Sequence, residues 1–187
     1  TAARHLLLSS EYRTRYPESF SETIAPDRVY VGRCSLTTPL PGDDASAGAG
    51  MTAGEALLSP TRTYVPVVRD VLANCRNAVT GIIHCTGGGQ VKCRDFGQGL
   101  RYIKDNLFET PAVFAAIRAS GAVEFREMYQ IFNMGHRMEV YCDVEAVEPI
   151  IAIAASYGIA AREVGRVESA DGENQVVIRD RGEEYFF

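Results

Sequence analysis

The sequence predicts a layered α/β domain in which helices pack on a mixed β-sheet. A strand–helix–strand pattern over residues 137–167 is the first observation that favours this class. The apolar, β-prone stretch at 79–83 is the second, because it indicates a buried strand. Helical patterns at 65–72 and from Pro111 to Gly121 stand on either side of that stretch, so strands and helices are mixed along the chain.

Two features are expected in the first third of the chain. Residues 2–16 form an amphipathic pattern that predicts one helix ending before Pro17. Residues 39–54 are biased to small side chains and predict a flexible surface loop rather than a domain boundary. The other predicted elements are a short helix at 124–130, a helix capped by Asp143 that runs to about Ser156, and strands at 101–105, 159–167 and 175–178.

The composition excludes several classes of protein. The chain has 187 residues and a net charge of −5 without a run of Lys or Arg, so no nucleic-acid partner is expected. The longest apolar region, at 149–161, is too short to span a bilayer, so no membrane partner is expected. The five cysteines are an odd number without CxxC spacing. They fit a reducing, cytoplasmic location better than a disulfide framework or a zinc site.

A run of glycines directly after the predicted strand is the strongest candidate for a functional site. His84 stands at the strand end, and Thr86 is followed by Gly87, Gly88 and Gly89. Consecutive glycines leave backbone N–H groups uncovered and permit positive φ, which is how a chain forms a concave anion site. A tight turn that needs glycine only for its geometry is the alternative. The run matches neither a Walker A motif nor GxGxxG.

The histidine and cysteine residues differ in the chemistry that their positions permit. An imidazole at His84 could move a proton or contact phosphate. The alternative for His84 is a neutral ring hydrogen-bonded to the backbone. Cys85 and Cys93 flank the run without a paired base, so neither is expected to be a nucleophile. His5 is expected on an exposed helix face.

Three segments together resemble one family. Residues 57–65 (LLSPTRTYV) resemble its LLxPTxxYV helix entry, residues 84–89 (HCTGGG) its HxTGGG loop, and residues 127–135 (EMYQIFNMG) its EMxxxFNxG segment. The family is aminoimidazole ribonucleotide synthetase, also called phosphoribosylformylglycinamidine cyclo-ligase. The segments stand in the family's order, and the resemblance covers about residues 55–179, whereas 1–50 fit less closely.

The resemblance implies that residues 1–187 are the single carboxy-terminal domain of a two-domain enzyme, with Thr1 just past the domain junction. The amino-terminal domain, with its acidic metal-binding motif and dimer interface, would be absent from this chain. Similar enzymes use ATP and Mg²⁺ to cyclise formylglycinamidine ribonucleotide in de novo purine biosynthesis. The expected partners are therefore this substrate, the chain's own amino-terminal domain and, for the full-length protein, a second copy in a homodimer. The isolated chain is expected to be inactive.

The resemblance also implies roles for individual residues. His84 would be catalytic, and residues 86–89 would bind phosphate or nucleotide. The candidate substrate contacts are Arg62, Glu127, Asn133, Gly135 and Arg137. Three of these have bland alternatives, namely an arginine stem that covers apolar surface, a solvated helix face and an Asn at a helix C-terminus.

One departure from the family pattern stands out. The family reads FNxGxGM where residues 132–138 read FNMGHRM, so Arg137 replaces the second glycine and His136 precedes it. Arginine lacks glycine's backbone freedom, although it could bring a cation to phosphate. Two alternatives therefore stay open. One is another superfamily member, of the formylglycinamidine ribonucleotide synthase or selenophosphate synthetase type. The other is a non-catalytic ligand-binding paralogue.

Overall fold

The computed structural model describes residues 1–42, 48 and 50–187 of the chain. Helices are mixed along the sequence with the strands of two β-sheets, which confirms the predicted α/β class. None of the helices in these described ranges is long and apolar enough to cross a membrane.

The chain divides into two compact units, each built from two stretches of sequence. We call Thr1–Pro60 together with Glu109–Gly135 the helical unit, and Thr61–Phe108 together with His136–Phe187 the sheet unit. That residues 1–187 form a single domain stays a prediction.

The secondary structure of the described residues is as follows. The helices are α1 (Ala2–Leu7), α2 (Glu11–Arg15), α3 (Ala53–Leu58), α4 (Val65–Cys75), α5 (Ala112–Ser120), α6 (Phe125–Ile131) and α7 (Val147–Ser156). The strands are β1 (Val79–His84), β2 (Leu100–Lys104), β3 (Met138–Cys142), β4 (Gly165–Ser169), β5 (Gln175–Asp180) and β6 (Glu183–Phe186). Short 3₁₀ turns lie at Pro17–Ser19, Pro26–Arg28, Gly89–Asp95 and Val144–Ala146.

In the helical unit, α1 packs against α3 and α5. The single helix expected over 2–16 is wrong, because the chain leaves helical geometry after α1. Leu8 is extended, and its carbonyl accepts the Gly32 N–H at 3.0 Å. The N–H of Ser9 donates to the Cys34 carbonyl at 2.9 Å. This short parallel pairing with a distant segment satisfies the backbone groups that a continuous helix would have used.

The expectation that His5 is exposed is also wrong. Its side chain is buried, and its ring meets the Tyr30 ring edge-on with centroids 4.7 Å apart. Burial, followed by the nearby Arg4 charge, lowers the pKa of His5.

Part of the predicted surface loop at 39–54 lies outside the described residues, namely 43–47 and 49. The described ends of that stretch are paired with each other. The Leu40 N–H donates to the Met51 carbonyl at 2.8 Å, and the side chain of Leu40 is buried. Helix α3 begins inside the stretch, where Thr52 forms a reciprocal capping box with Glu55.

The sheet unit contains a two-stranded ribbon and a four-stranded sheet. The ribbon is an antiparallel pair of β1 and β3. The sheet has the order β4–β2–β5–β6, with β2 and β5 parallel and the other pairs antiparallel, so it is mixed as predicted. The strand expected at 159–167 begins only at Gly165. The last strand, β6, was not predicted from the sequence.

The ribbon uses both of its faces. A shift of register between Val79 and Gly81 places Val79 and Ile82 together in one apolar cluster. Helices α4 and α7 pack on that cluster through Val71 and Ala154. The opposite face of the ribbon meets β2.

The contact between the ribbon and β2 mixes aromatic and charged side chains. The Tyr141 ring meets the Tyr102 ring edge-on with centroids 5.5 Å apart. Two residues before Tyr141 on β3 and two residues after Tyr102 on β2, Glu139 and Lys104 form a buried ion pair. The sheet unit is therefore layered, with helices on one face of the ribbon and a sheet strand on the other.

The start of β4 gives the first testable prediction. A Cβ at Gly165 would lie 1.8 Å from the Ile103 carbonyl oxygen, so Gly165→Ala must push β4 away from β2. We expect the free energy of unfolding to fall by about 2–3 kcal/mol or more, measured by urea denaturation. Gly81→Ala is the matched control in a strand, because its Cβ would meet Tyr141 at an ordinary 3.6 Å. Equal urea midpoints for both variants would contradict the close approach.

Candidate functional site

His84 is the last residue of β1 and is exposed. Its neighbour Cys85 is buried, as expected from the alternation of side chains along an extended chain. The His84 ring meets the Tyr64 ring edge-on with centroids 6.4 Å apart. Within the described ranges the His84 side chain makes no hydrogen bond. The structure therefore does not show the alternative considered for His84, a ring hydrogen-bonded to the backbone. Tyr64, at the N-terminus of α4, was missed by the sequence analysis.

The glycine loop, residues 86–89, follows directly. Gly88 and Gly89 have φ of +91° and +55°, so these two positions need glycine for their geometry. Gly87 has no positive φ, and a Cβ there would meet nothing within 4 Å. Among the described residues, the N–H groups of Gly87 and Gly88 find no backbone carbonyl partner. The turn requirement therefore explains two of the three glycines, and Gly87 is left without a structural reason.

Lys92 brings a cation to the loop. Its Nζ donates to the His84 carbonyl at 3.0 Å and lies 3.3 Å from the Thr86 hydroxyl oxygen. The 3₁₀ turn Gly89–Asp95 carries this lysine back towards the strand end. Lys92 was not among the site residues predicted from the sequence, although its spacing of three residues after the last glycine was an available signal.

A buried polar network lies behind the loop. The Lys104 ammonium pairs with Glu139 and donates to the Gln90 carbonyl oxygen at 2.5 Å and the Gln90 Oε1 at 3.2 Å. The second carboxylate oxygen of Glu139 accepts the Tyr141 hydroxyl at 2.5 Å. Burial, followed by the charge of Glu139, raises the pKa of Tyr141, which keeps this hydroxyl protonated as a donor.

The two cysteines that flank the loop are buried thiols. Burial, with a contribution from the Glu139 charge, raises the pKa of Cys85 to about 12. Burial also raises the pKa of Cys93. Both side chains therefore stay protonated near neutral pH and lack the thiolate that a nucleophile requires.

Arg137 lies beside the base of the loop. Its carbonyl accepts the Cys85 N–H at 2.9 Å, and its side chain is exposed. Arg137 has no positive φ; the left-handed residues of this turn are Met134, at 51°, and Gly135, at 100°. The backbone freedom of glycine is therefore not needed at position 137 in this chain.

His136 is turned into the sheet unit. It is 4% exposed, and its Nε2 accepts the Phe108 N–H at 3.1 Å. Burial, assisted by the positive charges of Lys104 and Arg162 and opposed by the charge of Glu139, lowers the pKa of His136 to about 4. This imidazole is a neutral structural acceptor.

The other candidate contacts are spread over both units. Arg62 belongs to the sheet unit and is exposed. In the helical unit, Glu127 is exposed on α6, and Asn133 accepts the Gly135 N–H at 3.0 Å in a local turn. A Cβ at Gly135 would approach Pro111 to 3.1 Å. The structure thus brings His84, the glycine loop and Arg137 together, and it gives Asn133 and Gly135 local structural roles.

No metal site is evident in the described part of the chain. It contains no group of three or more His, Cys, Asp or Glu residues that could hold a metal ion.

Fold and site together define a mixed α/β protein with a candidate anion site at a strand end. Comparison with known families identifies the family to which this protein belongs. The chain belongs to the family of AIR synthase related proteins, because the model of their C-terminal domain matches residues 41–178. This match includes all three segments that carried the resemblance.

Individual relatives agree with the family assignment. The phosphoribosylformylglycinamidine cyclo-ligase of Methanopyrus kandleri is 38% identical over 135 residues, which cover 72% of this chain and 37% of the relative. The protein of the same name from Caldicellulosiruptor bescii is 38% identical over 133 residues, 70% of this chain and 38% of the relative. The chain thus spans little more than a third of the length of these curated relatives.

The buried His136 predicts acid sensitivity. Its folded-state pKa of about 4 lies below the ordinary 6.5, so below pH 6.5 the unfolded chain binds a proton that the folded chain refuses. The free energy of unfolding should fall by about 3 kcal/mol between pH 6.5 and 4 on this account. His136→Gln, which keeps an acceptor but does not titrate, should flatten the pH dependence. His5, with its lowered pKa, would retain part of it. The measurement is the urea midpoint of the wild type and of His136→Gln across this pH range. If both midpoints fall equally steeply with decreasing pH, His136 is not the source of the acid sensitivity.

Proposed function

We propose that the chain is part of an ATP-dependent cyclo-ligase that converts formylglycinamidine ribonucleotide to aminoimidazole ribonucleotide in de novo purine biosynthesis. Family membership and the names of the similar enzymes motivate the reaction. The structural observation that carries the proposal is the exposed loop at Gly87. Among the described residues, no backbone carbonyl accepts the N–H groups of Gly87 and Gly88, and no packing contact explains the missing side chain at Gly87.

In the proposed reaction the formyl amide oxygen of the substrate attacks the γ-phosphorus of ATP, and ADP leaves. The substrate's own amine nitrogen then attacks the activated carbon, the carbon–oxygen bond to phosphate breaks, and the imidazole ring closes. One proton is released in the cyclisation. Holding both ends of one substrate in attack geometry lowers the barrier of such a step.

The residues of this chain would divide these tasks. The N–H groups of the glycine loop would donate to the phosphoryl oxygens, where charge develops. Lys92 would exchange its bonds to the His84 carbonyl and Thr86 hydroxyl for a bond to phosphate. His84, exposed at the strand end, would accept the proton released in the cyclisation. Arg137 would add a second cation at the base of the loop.

Other parts of the proposal come from the family. Mg²⁺ is expected beside ATP, but the described residues offer it no ligand cluster. Its ligands would come from the amino-terminal region that the longer relatives contain. Docking onto that region, homodimer formation and a cytoplasmic location belong to the same proposal.

The defining experiment is an assay of the complete gene product with formylglycinamidine ribonucleotide and ATP. We expect equal amounts of aminoimidazole ribonucleotide, ADP and phosphate to form. Binding of ATP without turnover would instead support the non-catalytic paralogue, for which the exposed Arg137 is the motivating departure.

Gly87→Ala tests the loop. A Cβ at Gly87 meets nothing within 4 Å and no positive φ opposes it, so the urea midpoint should change little. The methyl group would stand where an anion approaches the N–H groups. Loss of one hydrogen bond to a charged group predicts a KM for ATP raised about 10-fold or more.

Gly81→Ala is the matched control, since it makes the same substitution in the strand that precedes the loop, away from the loop itself. An unchanged KM for ATP in a folded Gly87→Ala variant would argue against phosphate binding at this loop.

His84→Asn tests the proton transfer. The side chain is exposed and meets only the Tyr64 ring within the described residues, so the urea midpoint should stay near that of the wild type. Loss of general acid–base help predicts a kcat lowered by about 10²- to 10⁴-fold. A lowered midpoint with unchanged kcat would assign His84 a structural role instead.

A further inference from the structure

The buried ion pair behind the glycine loop is unusually complete. Lys104 is 3% exposed and Glu139 is 7% exposed. The three N–H groups of the Lys104 ammonium meet three acceptors, namely Glu139 Oε1, the Gln90 carbonyl oxygen and Gln90 Oε1. Tyr141 fills the other carboxylate oxygen of Glu139. The buried charges of this network and the Gln90 side chain therefore all have hydrogen-bond partners.

The network touches the loop at both of its ends. Gln90 is the residue directly after the last glycine and is fully buried. Glu139 is the cross-strand partner of Ile83, which directly precedes His84. Lys104, from β2 on the far side of the ribbon, joins these two points through one ammonium group. The segment between them contains His84 and all three glycines.

Stability alone does not account for such a pair. Removing two charges from water costs about as much as their attraction returns, and a well-packed apolar pair often serves equally well. The carbonyl of Gln90 is a backbone group. Its bond to Lys104 therefore fixes the path of the chain, in addition to the bond that fixes the Gln90 side chain. A single cation that bonds both the chain after the loop and the strand before it acts as a geometric constraint.

We propose that Lys104 and Glu139 are positioning residues that hold the glycine loop in its ligand-binding geometry. The inference rests on the proposed function of that loop. It assigns the buried pair to ligand affinity, through the placement of the Gly87 N–H and of His84, and it predicts that affinity and stability respond separately to substitution.

The double variant Lys104→Met with Glu139→Leu separates the two effects. It removes both charges and keeps the volume approximately, so neither charge is left buried alone. We expect a cooperative urea transition, with a midpoint lowered only by the cost of the Gln90 and Tyr141 groups that lose their partners. In the complete gene product the dissociation constant for inorganic pyrophosphate, measured by calorimetry, should rise at least about 10-fold. The amide resonances of the three loop glycines should also shift.

Two further variants control the comparison. Arg179→Met with Glu184→Leu removes a surface pair between β5 and β6, and should change neither affinity nor the loop resonances. Tyr141→Phe removes only the hydroxyl that Glu139 accepts. It should weaken pyrophosphate binding by about 3-fold and serves as the readout if the buried double variant does not fold.

The outcomes distinguish this inference from the proposed function. Suppose that the wild type binds pyrophosphate. If the folded double variant, or Tyr141→Phe, then shows the same affinity and the same loop resonances as the wild type, only the positioning role is overturned. If the wild type binds no pyrophosphate, the proposed function of the loop fails. In that case the positioning role is decided by the amide chemical shifts of the three loop glycines. Unchanged shifts in the double variant would overturn it.

Discussion

A buried ammonium and a buried carboxylate must both be fully hydrogen-bonded, and this requirement organises the sheet unit. Lys104 on β2 and Glu139 on β3 meet where the ribbon faces the mixed sheet. Because the ammonium has more donors than one carboxylate can fill in this geometry, it also takes the carbonyl of Gln90. The chain directly after the glycines is therefore held close to the end of β1. The loop is the exposed segment between this buried position and the buried strand residue that precedes His84.

The register shift in β1 decides which side chains the exposed arc presents. Without the shift between Val79 and Gly81, Val79 and Ile82 would point to opposite faces of the ribbon. With it, both lie in the cluster under α4 and α7. The remaining strand positions then alternate normally, so Glu139 and its partner Ile83 face the sheet while His84 is exposed. One extra residue near the start of β1 thus lets Val79 join the apolar cluster, while the regular pairing from Gly81 onward leaves His84 exposed at the strand end.

Local signals made much of the fold predictable. The helical patterns at 65–72 and from Pro111 to Gly121 correspond to α4 and α5, and Gly121 ends α5 in the left-handed conformation. The break between α1 and α2 was not predictable in this way, since it depends on pairing of Leu8 with a segment near Cys34. The same limit applies to the site. His84 and the glycines are adjacent in sequence, whereas Lys104 and Glu139 are 35 residues apart and carry no shared local pattern.

The replacement of glycine by Arg137 is best understood from the backbone. The turn after Phe132 takes its left-handed geometry at Met134 and Gly135, and the chain has left that geometry when it reaches Arg137. At Arg137 the backbone supplies a carbonyl to Cys85, a bond that any residue provides. An arginine there leaves the strand pairing intact and adds an exposed cation next to the base of the loop. His136, its neighbour, is consumed by a buried bond to Phe108 and contributes no charge. The departure from the family pattern therefore adds an exposed positive charge beside the candidate anion site, at a position whose backbone does not require glycine.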